Sequence, residues 1–123
     1  MWLALSFVIV GIVHLLPIAP VFSPDALTRL YGVAPHDAAL LVLLRHRAVL
    51  LAIVGVLCLW AAASESARPA ALVAASLNIA SFLLFYALYA NPPGPLRLVA
   101  IVDLIALLPL AIAAWGTFAS VRT

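Results

Sequence analysis

Four long apolar runs constrain this sequence more than any other feature. They cover residues 2–20, 38–63, 69–90 and 96–119 of the 123-residue chain. Because an α-helix rises about 1.5 Å per residue, roughly 20 apolar residues cross the hydrocarbon core of a bilayer. Backbone polar groups find no water there, so each run is expected to be a helix. The sequence predicts an all-α integral membrane protein, a single transmembrane domain over 1–123 built as a four-helix up-down bundle.

The composition excludes several other classes of protein. Hydrophobic residues make up 68% of the chain and charged residues 8%, whereas a soluble domain has about 25% charged residues. The six basic residues are all arginine, against four acidic ones, and so small an excess does not predict nucleic-acid binding. The single cysteine, Cys58, allows neither an internal disulfide nor a cysteine-based zinc site. A lipid bilayer is therefore the expected surrounding of the chain.

The first connection is the longest and is expected to contain a short helix. Ser23, Pro24 and Asp25 place a capping hydroxyl, a first-turn proline and an acidic group at a helix start. Gly32 then supplies a C-terminal stop. The pattern predicts a short amphipathic helix over Pro24–Tyr31 that lies at the membrane interface.

The distribution of arginine predicts an orientation in the membrane. In an up-down bundle the first and third connections share one side, and the second connection shares the other side with both termini. Four arginines belong to the first side and two to the second: Arg29, Arg45, Arg47 and Arg97 against Arg68 and Arg122. By the positive-inside rule, loops one and three of this multi-pass protein are expected in the cytoplasm.

Polar and ionisable side chains inside the runs form the strongest functional pattern, because charges are costly in lipid and usually serve a function there. Six of them fall at similar depths, about 6 to 14 Å from the side of the first and third connections. We call this set the polar layer: His14, Arg45, His46, Arg47, Tyr86 and Asp103. Each helix contributes at least one member, which predicts that helix packing brings them together.

Small residues mark close helix contacts in membranes and indicate which members of the polar layer face inward. Arg45 shares a helix face with small residues, Ala48 and Gly55 among them, so Arg45 is expected to point inward against Asp103. Arg47 lies about 200° around the helix from Arg45 and is expected to extend partly toward the headgroups.

The chemistry of the polar layer favours a ligand with an anionic or carbonyl end. His46 and His14 are the candidate catalytic residues, because histidine exchanges protons near neutral pH. The candidate binding residues are the other four members: Arg45, Asp103, Arg47 and Tyr86. Asn78 lies nearer the opposite side of the membrane and is interpreted as a contact between helices.

No cofactor motif accompanies the polar layer. The sequence has no glycine-rich phosphate loop, no GxSxG elbow and no HExxH zinc motif. Neither a metal nor another cofactor is therefore expected. A haem held between His14 and His46 is the alternative that the residues leave open.

Four segments carry a resemblance to a known family. They are His14–Pro17, Leu30–Val33, Leu44–Leu50 and Val102–Leu104, with the Arg-His-Arg sequence as the most distinctive piece. The chain resembles a family of small, largely uncharacterised bacterial four-span membrane proteins, which look distantly like the DoxX-type four-helix membrane proteins. The likeness covers nearly the whole chain. It implies the four-helix fold, the polar layer and a bacterial inner membrane, and it brings no established activity.

Some members of that family are labelled phosphopantetheine adenylyltransferase. Enzymes with this activity resemble soluble nucleotidyltransferases with an HxGH phosphate site. This sequence has neither an HxGH motif nor the α/β pattern of such enzymes. The label does not fit this chain.

Three functions stay open at this point. The first is a small membrane-embedded binding protein or enzyme whose pocket takes a lipophilic molecule with an anionic or carbonyl end. The second is a structural or accessory subunit in which an Arg–Asp pair holds the helices together. The third is a dimeric transporter similar to the small multidrug-resistance proteins, whose first helix has a glutamate where this chain has His14. Catalysis and a homo-oligomeric state are both left open.

Overall fold

The computed structural model describes residues 1–33 and 36–119 of the chain. Within these residues the secondary structure is helical, without a strand. Five α-helices follow one another: α1 (Trp2–Leu15), α2 (Pro24–Tyr31), α3 (Ala38–Ala63), α4 (Arg68–Leu88) and α5 (Pro95–Ala119). Two 3-10 helices, Leu16–Val21 and Glu65–Ala67, continue α1 and precede α4. The all-α prediction is confirmed; Arg122, used in the orientation argument, lies outside the described residues.

Four helical stretches are long and apolar enough to cross a membrane. They are Trp2–Val21, Ala38–Ala63, Glu65–Leu88 and Pro95–Ala119. The first changes from α to 3-10 geometry around Pro17, whose backbone (φ −76°, ψ 16°) is not helical, because proline lacks an N–H and its ring crowds the preceding turn. The third ends before the predicted residue 90, where Ala90 and Asn91 have φ of 63° and 50°, the left-handed region that stops a helix.

The outer surface of these helices is strongly apolar, and their contacts with one another rest on small side chains. Large hydrophobic residues face outward on different helices, with Ile53 58%, Leu77 66% and Leu108 68% exposed. The completely buried positions include several alanines: Ala48, Ala61, Ala71, Ala75 and Ala113. Small residues bring helix backbones close, and the van der Waals contact between backbones then holds the helices together.

The closest approach joins α1 and α3. A Cβ atom placed on Gly55 would lie 2.7 Å from Leu15 Cγ and 2.9 Å from the carbonyl oxygen of Gly11. A Cβ atom on Gly11 would lie 3.0 Å from the carbonyl oxygen of Gly55. The two glycines therefore face each other, and neither position has room for a larger residue without a shift of the backbone.

The short helix α2 has the predicted bounds, Pro24–Tyr31. Ser23 stands at its N-cap in an extended conformation but its hydroxyl makes no capping hydrogen bond. Gly32 ends the helix with φ 68°, as the sequence predicts. α2 packs against the Leu16–Val21 helix and α5, and it buries Leu27 and Tyr31 on its inner side.

Candidate functional site

A cavity of about 30 Å³ lies where all five helices meet. We call it the inner cavity. Its polar side chains come one from each helix in chain order: His14, Tyr31, Arg47, Asn78 and Asp103. Three of them are more than nine-tenths buried, with exposures of 3% for His14, 6% for Tyr31 and 8% for Asp103. The space is large enough for a water molecule.

Two atoms at the inner cavity have hydrogen-bonding capacity that the protein does not use. His14 Nδ1 donates to the carbonyl oxygen of Val10 at 2.8 Å, which leaves Nε2 as the acceptor of a neutral ring. Among the described residues, Nε2 of His14 and the hydroxyl of Tyr31 have no hydrogen-bond partner although both are buried. Buried polar atoms are rarely left unpaired, so these two give the cavity unused hydrogen-bonding capacity for a small polar molecule.

The Tyr31 hydroxyl is a hydrogen-bond donor at neutral pH. Burial raises its pKa above the ordinary value of 10.0, and the positive charge of Arg47 opposes this effect more strongly than the negative charge of Asp103 adds to it. The phenol therefore keeps its proton.

Arg47 occupies the centre of the site, between two aromatic rings. Its guanidinium carbon lies 5.4 Å from the ring centroid of Tyr31 and 5.2 Å from that of Phe82. Such cation–π contacts hold a guanidinium in place without neutralising its charge. Asp103 is close enough to interact electrostatically with Arg47, but no ion pair joins them. The ion pair found among the described residues is Arg68–Glu65 at 2.9 Å.

A wider groove of about 400 Å³ adjoins the inner cavity and opens to the outside of the protein. Arg47 and Asn78 line both spaces. The wall formed by the C-terminal part of α4 and the residue after it is aromatic and contains Phe82, Phe85, Tyr86 and Tyr89. The rings of Phe82 and Tyr86 are stacked, with centroids 6.1 Å apart and planes inclined by 19°. The volume falls within the range of about 300–1,000 Å³ that is usual for small-molecule sites.

The structure brings part of the predicted polar layer together. His14, Arg47 and Asp103 meet at the inner cavity, and Tyr86 lines the adjoining groove. Their roles in binding or catalysis stay predictions, because geometry shows only their proximity.

The expected contact between Arg45 and Asp103 is wrong. Arg45 lines neither space, and its Nε is buried without a hydrogen-bond partner among the described residues. Gly55, which shares the face of Arg45, contacts Gly11 of α1. The small residues therefore mark the tight α1–α3 contact, and Arg47, expected near the headgroups, is the arginine at the site.

His46 is exposed on the outside of α3 and lines neither space. His14 is buried inside, so the two histidines do not face one site, and a haem held between them does not fit this arrangement. Within residues 1–33 and 36–119, no three His, Cys, Asp or Glu side chains are grouped as metal ligands would be. Asn78, interpreted from the sequence as a contact between helices, belongs to the site.

Sequence reasoning missed Tyr31 and Phe82, the two rings around Arg47. Tyr31 is one helical turn after the buried Leu27, so the inward face of α2 could have indicated it. Phe82 is one turn after Asn78 and one turn before Tyr86, so a single stripe on α4 carries the polar and aromatic lining.

Tyr86 has a structural bond of its own, since its hydroxyl donates to the carbonyl oxygen of Pro92 at 2.9 Å. We expect Tyr86→Phe to lower the free energy of unfolding by about 1 kcal/mol, because one intramolecular hydrogen bond is lost, and to leave ligand binding nearly unchanged because the ring remains. Unfolding in detergent and a binding titration measure the two effects. Weaker binding at unchanged stability would instead assign the hydroxyl to the ligand.

No protein-family model matches the sequence, and no curated protein or solved structure is significantly similar to it. The likeness to the bacterial four-span family stays a prediction.

Proposed function

We propose that the chain is a multi-pass protein of a bacterial inner membrane, related to the four-span family that it resembles. In this proposal α1, α3, α4 and α5 cross the bilayer in up-down order, α2 lies at the interface, and loops one and three are cytoplasmic. The apolar outer surface supports insertion into lipid. The contact of Leu3, near the start of α1, with Gly116, near the end of α5, supports the up-down order.

The function proposed for this fold is to bind a small lipophilic molecule that has an anionic or carbonyl end. The single observation that carries it is the position of Arg47, which lines both the inner cavity and the open groove and forms no ion pair. A buried cation is costly unless a directly hydrogen-bonded partner accompanies it, and Asp103 interacts with Arg47 electrostatically but forms no ion pair with it. A ligand oxygen at the inner end of the groove would supply that partner.

The groove fits the remainder of such a ligand. Phe82, Phe85 and Tyr89 offer an apolar and aromatic wall, while Asn78 adds amide hydrogen bonds beside Arg47. Nε2 of His14 gives a proton-accepting atom in the inner cavity. Binding requires only these groups, and a reaction at the polar end of the ligand would use His14 as its base.

The structural-subunit hypothesis is less well supported by these contacts. It relied on an Arg–Asp pair between helices, but neither Arg45 nor Arg47 forms an ion pair with Asp103. The one ion pair of the described residues joins Glu65, in the connection before α4, to Arg68, the first residue of α4. Among the described residues no ion pair joins helices at the inner cavity, where Arg47 of α3 instead makes cation–π contacts with Tyr31 of α2 and Phe82 of α4.

Native mass spectrometry of the detergent-purified protein tests the proposed function. We expect the protein mass with one small-molecule adduct per chain, which is released on collisional activation and recovered in organic solvent. The bare protein mass from several mild detergents would contradict the proposal. A stoichiometric protein partner in place of the adduct would favour the structural-subunit hypothesis.

A further inference from the structure

Before any ligand binds, the charged groups that line the inner cavity balance one another. The groups that titrate or carry charge there are His14 of α1, Tyr31 of α2, Arg47 of α3 and Asp103 of α5, while α4 contributes the neutral Asn78. The His14 ring is neutral when Nδ1 donates to Val10 and Nε2 has no proton, and the Tyr31 phenol is neutral. An ionised Asp103 thus balances Arg47 across the cavity.

A ligand anion at Arg47 would disturb this balance. Arg47 faces both spaces, whereas Asp103 lines the inner cavity and is 8% exposed. The carboxylate of Asp103 and the ligand anion would then share one cation, leaving an excess negative charge in a site that excludes most water. An uncompensated buried charge is costly, and a carboxylate next to a second anion takes up a proton more readily.

Resting on the proposed function, we propose that Asp103 is the proton-coupling residue of the ligand site and that the ligand is a lipophilic weak acid, such as a carboxylic acid or a phenol. The acid dissolves in the bilayer in its neutral form and is bound as the anion at Arg47. The O–H bond of the ligand breaks and an O–H bond forms on the Asp103 carboxylate. No electrons are exchanged, and the net charge of the site stays zero.

The inner cavity provides the route for this proton. Its volume of about 30 Å³ admits a water between Asp103, Nε2 of His14 and the Tyr31 hydroxyl, which together offer the two to four polar partners that a buried water needs. Asp103 is the acceptor because its protonation removes a charge. Protonation of His14 would instead add a second cation beside Arg47.

The test uses 1-pyrenebutyrate, a fluorescent lipophilic carboxylate, and the full-length protein in detergent. Between about pH 7 and about pH 9 the free probe is ionised, since carboxylic acids have pKa values of about 4–5. Because each anion that binds requires one proton to be taken up by Asp103, the apparent Kd should rise about tenfold for each unit by which the pH increases. A pH indicator in weakly buffered solution should report one proton taken up per probe bound.

Asp103→Asn should remove this pH dependence, because the amide leaves Arg47 as the only charge and the anion then binds without a proton. Asp25→Asn is the matched control on the exposed side of α2 and should keep the wild-type slope. Saturable binding without pH dependence and without proton uptake by the wild type overturns the inference but leaves the proposed function standing. A slope that persists in Asp103→Asn but disappears in His14→Gln overturns it too. The absence of saturable binding at every pH contradicts both.

Discussion

Arg47→Gln is expected to weaken the binding of 1-pyrenebutyrate at about pH 7 by about 30-fold or more, in line with the 2–5 kcal/mol that loss of one member of a buried charge pair usually costs. The reason is the position of Arg47 between the rings of Tyr31 and Phe82, with its charge directed at both spaces and not consumed by an ion pair. A fluorescence titration of the purified variant measures the effect.

Two matched variants separate this result from a general loss of charge. Arg97→Gln removes an exposed arginine of α5 and should leave the apparent Kd within about twofold, because surface charges contribute little. Arg45→Gln removes the arginine that the sequence favoured, which lines neither space. If Arg45→Gln abolished binding while Arg47→Gln did not, the site as described would be wrong.

Gly55→Ala should destabilise the protein by about 1–3 kcal/mol, the usual cost of overfilling a tightly packed contact. The new Cβ would lie 2.9 Å from the backbone oxygen of Gly11, which cannot rotate away, and 2.7 Å from Leu15 Cγ. Reversible unfolding in mixed micelles measures the change in free energy.

Gly116→Ala is the control for the same substitution. Its Cβ would lie 3.0 Å from Cδ1 of Leu3, at the flexible end of that side chain, so a small rotation of the Leu3 side chain relieves the contact. The higher helix propensity of alanine also stabilises the helix by up to about 1 kcal/mol, which offsets any remaining cost of the contact. Gly116→Ala should therefore be close to the wild type in stability. Equal losses for both variants would show that the α1–α3 contact is not as tight as the structure has it.

The helices were predictable because their determinants are local. Apolar runs of sufficient length define the long helices, and α3 has the predicted bounds of residues 38–63. The start and stop residues around α2, from Pro24 to Gly32, likewise act within a few residues of sequence. Small differences arise at Pro17 and after Leu88, where backbone conformation depends on how the chain leaves the bundle.

The sequence predicted at which depth in the membrane the site residues lie, but not which face of each helix points toward the site. Counting residues from the span ends placed His14, Arg47, Tyr86 and Asp103 near one another, and they line adjoining spaces. The rotation of α3 could not be obtained this way, because two faces of that helix are candidates for the interior. Small residues identify the face of closest backbone approach, which is the α1–α3 contact at Gly11 and Gly55. The arginine at the site, Arg47, lies on another face of α3.

The contact of Tyr31 with Arg47 was not predictable from the four long runs. Tyr31 belongs to α2, outside the four long runs, and reaches Arg47 only because α2 packs against α5 and the Leu16–Val21 helix. No residue spacing within a span encodes that packing. The amphipathic pattern of α2 predicts which side is buried, but the side chain that it meets is set by tertiary structure.

Photocrosslinking with a diazirine-bearing long-chain carboxylic acid shows where a lipophilic acid binds, because the described residues line other spaces as large as the groove at Arg47. We expect adducts on the groove wall from Asn78 to Tyr89, at the C-terminal end of α4 and just after it, and we expect their loss in Arg47→Gln. One competing space is an almost wholly apolar pocket of about 500 Å³ between α1 and α5, lined by Ile9, Ile105 and Pro109 among others; another, of about 510 Å³, lies on α5 around Trp115 and Phe118. Adducts in the pocket between α1 and α5 that persist in Arg47→Gln would show that the acid does not bind at Arg47.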